Sequence, residues 1–125
     1  PAQQIIQTAL GVYQSVDELL KPGGRIYEQR ACIYKALNEI DGVSAVKPKA
    51  AFYIFPKFDI RKFNIKDDER FVLDFLRKKK ILLVHGRAVN YPEPDHVRIV
   101  YLPTVKELTA ATNALSDFLS DYSQV

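Results

Sequence analysis

The stretch DHVRIVYLP, residues 95–103, decides how the chain can be organised around a sheet. Its nearly unbroken run of β-branched, aliphatic and aromatic residues favours a buried strand, yet Arg98 stands in the middle. Apolar residues stand at both odd and even positions around Arg98, so both faces of the strand look covered. A guanidinium is costly to bury without an anionic partner. Asp95, the nearest acid in sequence, would have to fold back. Arg98 therefore either points to water from an edge strand or binds a carboxylate that the chain does not supply.

The composition is that of a single globular domain. The chain has 125 residues, of which 47% are hydrophobic and 11% aromatic, and no apolar run is long enough to span a bilayer. Cys32 is the one cysteine, which rules out an internal disulfide, favours a reducing compartment and leads us to expect a cytoplasmic protein. A net charge of +3 is mild for a nucleic-acid-binding protein.

The first half of the chain carries helical patterns followed by short strands. Apolar residues recur at helical spacing over residues 2–20, and KPGG at 21–24 interrupts them. A second helix is predicted over 25–40. Short strands are predicted at 43–47 and 51–55, with prolines near both that favour bends or edges.

The second half predicts two capped helices and two strands. Asp67 is the expected N-cap of a helix that runs to residue 80, and ILLVHG at 81–86 predicts a buried strand. Thr104 and Glu107 form a capping box for the last helix, directly after the stretch quoted first. The order α-α-β-β-α-β-β-α predicts an α+β fold, in which helices pack on one face of a small, mostly antiparallel sheet.

Motifs for catalysis or metal binding are missing from the sequence. It has no G-x-S-x-G, H-E-x-x-H or P-loop pattern, and two histidines with one cysteine are too few for a zinc site. We expect His85 to be hydrogen-bonded at a strand end, His96 to be exposed to solvent, and Cys32 to pack beside a helix.

Basic and aromatic side chains suggest an alternative function, a small binding module for RNA or a regulatory ligand. The residues concerned are Lys47, Lys49, Arg61, Lys62, Arg77, Lys78, Lys79, Lys80, Tyr53 and Phe55. A solvated rim, together with favourable charges at a helix C-terminus, accounts for the same cations without a nucleic acid.

Four stretches together resemble the C-terminal part of pyridoxal-phosphate-dependent aminotransferases of the aspartate-aminotransferase fold type, and most of all the alanine (glutamate–pyruvate) aminotransferases. They are PAQQIIQTALGVYQS (1–15), PGGRIYEQRACIYKALNEIDGVSAVKPKAAFYIFPK (22–57), FVLDFLRKKKILLVHGRAVNYP (71–92) and DHVRIVYLP (95–103). The likeness covers essentially the whole chain in order, which is more specific than any single motif.

The resemblance implies a role for the arginine that the residues alone left open. In such enzymes this region is the small domain, and the position matching Arg98 binds the substrate α-carboxylate. Tyr53 matches a segment near the mouth of the active site. Substrate binding closes the small domain over the cofactor. Arg98 is then expected to be partly exposed here and available to an anion.

The resemblance also implies what lies elsewhere. Residues 1–22 would be an inter-domain helix region carried over from the large domain, and 23–125 the small domain. The large domain would hold pyridoxal 5'-phosphate, because SAVK at 44–47 lacks the glycine and arginine that follow the family's cofactor-binding lysine. The chain alone is therefore expected to be inactive. The full-length protein would be a homodimer with amino-acid and 2-oxo-acid substrates, without nucleic acid or membrane as partners. Many members of the family have a small residue at the position of Arg87, and they vary at the position of His85. The amino donor, of alanine or aspartate type, therefore stays open.

Overall fold

The computed structural model describes residues 21–49 and 52–124, an α+β arrangement as predicted. Its three helices are α1 (Arg25–Asn38), α2 (Asp68–Lys79) and α3 (Val105–Leu119). Its strands are β1 (Val43–Ser44), β2 (Tyr53–Ile54), β3 (Lys57–Phe58), β4 (Val84–His85) and β5 (Val97–Val100). The helix predicted over 2–20 and nearly all of the predicted region 1–22 lie outside the described residues.

The helices begin where the sequence predicts. The Asp67 side chain accepts hydrogen bonds from the backbone amides of Glu69 and Arg70 at the start of α2. Thr104 and Glu107 form the predicted capping box at the start of α3, each side chain accepting from the backbone N–H of the other. Both caps satisfy backbone amides that have no partner within the helix. The start of each helix is therefore determined by residues close to it in sequence, which is why the sequence predicts it correctly.

Every strand pair in the described part of the chain is antiparallel. β5 is the centre of a three-stranded sheet, with β2 on one side and β4 on the other. β1 pairs with β3, a strand that the sequence did not predict, in a separate two-stranded sheet. A single bridge between Lys57 and His96 connects the two sheets.

The two strands predicted in the first half of the chain are shorter than expected. The strand predicted at 43–47 ends at Ser44, because the Asn38 side chain takes both the N–H and the C=O of Ala45. Of the strand predicted at 51–55, only β2, Tyr53–Ile54, is a strand in the described residues.

The prediction of a buried strand at 81–86 is wrong for most of these residues. Only Val84 and His85 pair with β5, and Leu82 is 71% exposed. From Gly86 the chain turns into a 3-10 helix that ends at Val89. A Cβ at Gly86 would lie 2.9 Å from the carbonyl oxygen of His96, so this close approach of two backbones requires glycine.

The core lies between the three-stranded sheet and the helices. Along β5, Val97 and Ile99 are buried, whereas Arg98 is half-buried and Val100 exposed. Side chains alternate between the faces of a strand, so one face of β5 is covered and the other is not. The expectation that both faces are covered is therefore wrong. The buried residues of the helices are Ile26, Gln29, Ile33, Leu37, Asp68, Phe71, Val72, Phe75, Leu108, Thr112, Leu115, Phe118 and Leu119.

Candidate functional site

The uncovered side of the three-stranded sheet, which we call the outer face, brings Arg98 next to aromatic and aliphatic side chains. The register pairs Tyr53 with Val100 and Val84 with Arg98. Directly paired residues point to the same face of a sheet, so these four side chains share the outer face. Two of them, Tyr53 and Val100, are exposed.

The Arg98 guanidinium lies over the ring of Tyr53. Its guanidinium carbon is 4.5 Å from the centre of the Tyr53 ring, within the range of a cation–π contact. Its Nε is buried and has no hydrogen-bond partner among the described residues. A buried N–H without an acceptor is unfavourable, so this part of the chain leaves the guanidinium with an unmet hydrogen bond.

Asp95 does not fold back to neutralise Arg98. One of its carboxylate oxygens is 2.8 Å from His96 Nδ1 and the other is 3.8 Å from Lys57 Nζ. No ion pair joins Arg98 to a carboxylate of the described residues. Asp95 is therefore not the partner of Arg98, and β5 is the central strand of its sheet rather than an edge strand.

His96 is not exposed as the sequence analysis expected. Its side chain is 14% exposed and packs against two aromatic rings that also contact each other. The ring centres of Phe55 and Tyr91 are 4.7 and 4.3 Å from that of His96. This aromatic cluster explains why a histidine at a loop-to-strand junction is mostly buried. His85 is half-buried in β4, and Cys32 packs beside the core as predicted.

Arg87 is turned away from the outer face and bound to the start of α2. Its Nε donates to Asp68 Oδ1 at 2.6 Å, its backbone N–H donates to Asp68 Oδ2 at 2.9 Å, and its Nη2 contacts Asp67. Burial opposes ionisation of Asp68, but the hydrogen bonds and charge of Arg87 outweigh it and lower the pKa of this carboxyl. No sequence signal points to this role of Asp68, because an aspartate directly after an N-cap is also expected from the helix dipole alone.

An apolar groove of about 390 Å³ opens beside Arg98, between the chain preceding β4 and the start of α3. Leu82 and Val100 lie at its surface, and the buried residues Ile33 and Leu108 form part of its lining. Residues 81–83, which the sequence predicted to belong to a strand, do not pair with β5 and instead line this groove.

The described residues include no enclosed lysine and no cluster of metal ligands. Their lysines are exposed apart from Lys79, which pairs with Asp117, so none is an amine enclosed in a pocket. Within the same residues no three His, Cys, Asp or Glu side chains are grouped as metal ligands. None of the helices described is both long and apolar enough to cross a membrane.

The basic residues do not form one surface of free cations. Lys62 is paired with Asp41, Arg77 with Asp74 and Lys79 with Asp117. Pairing of this kind leaves fewer charges for phosphates than the sequence suggests. The RNA-binding alternative therefore gains no support from the geometry.

Comparison with known proteins gives close relatives over the whole chain, although no protein-family model matches it. The chain is 54% identical to the glutamate–pyruvate aminotransferase AlaA of Escherichia coli over 125 residues, which are all of this chain and 31% of that protein. It is 50% identical over 124 residues to an alanine aminotransferase of Mycobacterium tuberculosis, covering 99% of this chain and 29% of the relative.

A solved structure shows the same fold. An aminotransferase from Escherichia coli superimposes with a TM-score of 0.94 at 54% identity, covering 100% of this chain and 31% of the other. The chain thus spans just under a third of the relatives that it matches. By sequence and by fold, it belongs to the aminotransferase family and corresponds to the C-terminal part of these relatives.

Proposed function

We propose that this chain is the substrate-binding and closing domain of a pyridoxal-phosphate-dependent aminotransferase, in which Arg98 binds the α-carboxylate of the substrate. The observation that carries the proposal is the Arg98 side chain itself, half-buried, without a carboxylate partner in the described residues and with an unpartnered buried Nε. A planar guanidinium matches a carboxylate with two parallel hydrogen bonds.

The reaction is the transfer of an amino group between an L-amino acid, of alanine or aspartate type, and a 2-oxo acid. Relatives named glutamate–pyruvate and alanine aminotransferases support the alanine type. Arg87 does not decide this preference through direct contact, because its guanidinium is bound to Asp67 and Asp68.

Within this chain, the work of the site is binding and orientation. A two-point contact to Arg98 fixes both the position and the rotation of the substrate carboxylate, which lowers the entropic cost of aligning the reacting bond. Tyr53 lies beside Arg98 on the outer face and would line the mouth of the site. Closure of this domain over the bound substrate would exclude water.

The cofactor and the partners belong to the remainder of a longer protein. Pyridoxal phosphate supplies the electron sink for amino-group chemistry when it is bound. Because no lysine of the described residues is enclosed in a pocket, we assign the cofactor to the large domain. We further propose that residues 1–22 connect to that domain, that 23–125 form the small domain, and that the full-length protein is a homodimer. A cytoplasmic location stays a prediction.

The decisive experiment replaces Arg98 by lysine in the full-length protein. Lysine keeps the charge but cannot form a planar two-point contact. We expect kcat/KM for alanine and 2-oxoglutarate to fall by roughly 30-fold or more, which corresponds to about 2–5 kcal/mol for an imperfectly paired buried charge. Arg61→Lys, at an exposed position, is the matched control. Wild-type kcat/KM in Arg98→Lys would show that Arg98 does not bind the carboxylate.

The second half of the proposal concerns the isolated chain. Mixed with pyridoxal phosphate, the 125-residue chain should show no cofactor absorbance band characteristic of attachment to a lysine, and no alanine–2-oxoglutarate turnover. Either signal would contradict the assignment of the cofactor to the rest of the protein.

A further inference from the structure

We propose that Tyr53 is a positioning residue for Arg98, and that the face of its ring, rather than its hydroxyl group, determines the direction of the guanidinium. This inference rests on the proposed carboxylate-binding role of Arg98 and deepens it. It assigns Tyr53 an effect exerted through another side chain, and not a direct contact with the substrate.

The register of the sheet brings the two side chains together. Tyr53 on β2 is paired with Val100 on β5, and Arg98 is two residues before Val100. Diagonal neighbours on one face of an antiparallel pair are within reach of long and aromatic side chains. The guanidinium carbon of Arg98 indeed lies 4.5 Å from the centre of the Tyr53 ring. Strand pairing therefore fixes the contact, since a slip of one residue would turn Tyr53 to the other face.

Arg98 needs such a contact because the described residues provide no acceptor for its Nε. A long side chain without hydrogen bonds has many rotamers, and binding an anion would have to select one of them. Asp95, which could have oriented it, is bound to Lys57 and His96 instead.

A ring beneath the guanidinium restrains it in a particular way. The cation–π contact holds the guanidinium over the ring without using any of its N–H groups as hydrogen-bond donors. These N–H groups are the part that binds a carboxylate. The ring can thus pre-orient the binding atoms without competing for them, which neither a carboxylate nor a carbonyl group could do.

The test compares two variants of the full-length protein. Tyr53→Leu removes the ring, and we expect the KM values for amino acid and 2-oxo acid to rise about 3- to 30-fold, the range expected for loss of a cation–π contact, with kcat changed much less. Tyr53→Phe keeps the ring and should rescue most of the loss. In an Arg98→Gln background, which has no cation, Tyr53→Leu should have little further effect.

Each other outcome overturns the inference. Equal losses in Tyr53→Phe and Tyr53→Leu would assign the role to the hydroxyl group. Unchanged KM in Tyr53→Leu, together with a large loss in Arg98→Lys, would remove the role of Tyr53 and leave the proposed function intact.

If Arg98→Lys keeps the wild-type kcat/KM, crystal structures of the Tyr53 variants still test the positioning role. In the full-length protein, the guanidinium should stay over the ring in Tyr53→Phe and move or occupy several conformers in Tyr53→Leu. An unmoved Arg98 in Tyr53→Leu would contradict the positioning role, whatever the activity.

Discussion

The two faces of β5 differ clearly in burial. On one face Val97 and Ile99 are buried against the helices. On the other face Arg98 is half-buried, its Nε has no partner among the described residues, and Val100 is exposed. Four consecutive residues therefore serve two purposes, with one pair stabilising the fold and the other forming a surface.

The difference shows how a sequence can look like a buried strand throughout and yet present a binding surface. An apolar residue on the outer face is not evidence of a core, because exposed apolar surface is common on proteins and in binding sites. The outer face has apolar members, including Val84 and Val100, but no layer of the described chain covers it. A surface of this kind is suited to contact with another domain and a substrate.

The largest expected effect is on the covered face. Ile99→Ala should lower the free energy of unfolding by about 2–5 kcal/mol, because it removes buried methyl groups and leaves a cavity. Val100→Ala, the next residue along and the matched control, should cost under about 1 kcal/mol. Equilibrium urea unfolding of the 125-residue chain measures both.

Equal losses in these two variants would remove the distinction between the faces. A larger loss in Val100→Ala than in Ile99→Ala would invert it, and would indicate that the outer face is packed in solution.

A smaller effect is expected at the Asp68–Arg87 contact, which fixes the chain after β4. Asp68→Asn should cost about 1.5–3 kcal/mol at pH 7, because a charged hydrogen-bond acceptor is lost. Since the pKa of Asp68 is lowered by folding, its contribution is present above the unfolded-state pKa of about 3.9 and is lost as the pH falls through the folded value.

Unfolding curves at pH 7 and at successively lower pH check this sign. The difference in stability between the wild-type chain and Asp68→Asn should narrow as the pH falls below about 4. A difference that widens in acid would show that the Asp68 carboxyl is destabilised by its burial. Asp59→Asn, at an exposed turn, serves as the control for loss of one surface charge.

The smallest effect on the free energy of unfolding is expected for Arg98, although it has the largest proposed role in binding. Arg98→Ala should change the free energy of unfolding by about 0.5–1 kcal/mol, the contribution of an exposed cation–π contact. Urea unfolding measures it. A loss as large as that of Ile99→Ala would make Arg98 a structural residue.

Much of the fold could be predicted from short-range signals. The N-cap at Asp67 and the capping box at Thr104 are local hydrogen-bonding patterns, and the structure confirms both. Strand lengths were not predictable in the same way. The end of β1 depends on the Asn38 side chain, which binds Ala45 seven residues away, and no periodicity contains that information.

The candidate site was predictable in part. The residues alone identified Arg98 as an anomaly, and the resemblance to aminotransferases turned it into a carboxylate-binding hypothesis. What the sequence could not give was its surroundings. The cation–π contact of Arg98 with Tyr53 and the binding of Arg87 by Asp68 depend on strand register and on contacts between distant segments.

The most direct test of the central claim is a crystal structure of the full-length protein with an unreactive carboxylate analogue of the substrate. The account predicts two hydrogen bonds of about 2.8 Å from the Arg98 guanidinium to one carboxylate, with that group still lying over Tyr53. A carboxylate bound by other residues, with Arg98 pointing into solvent, would contradict it.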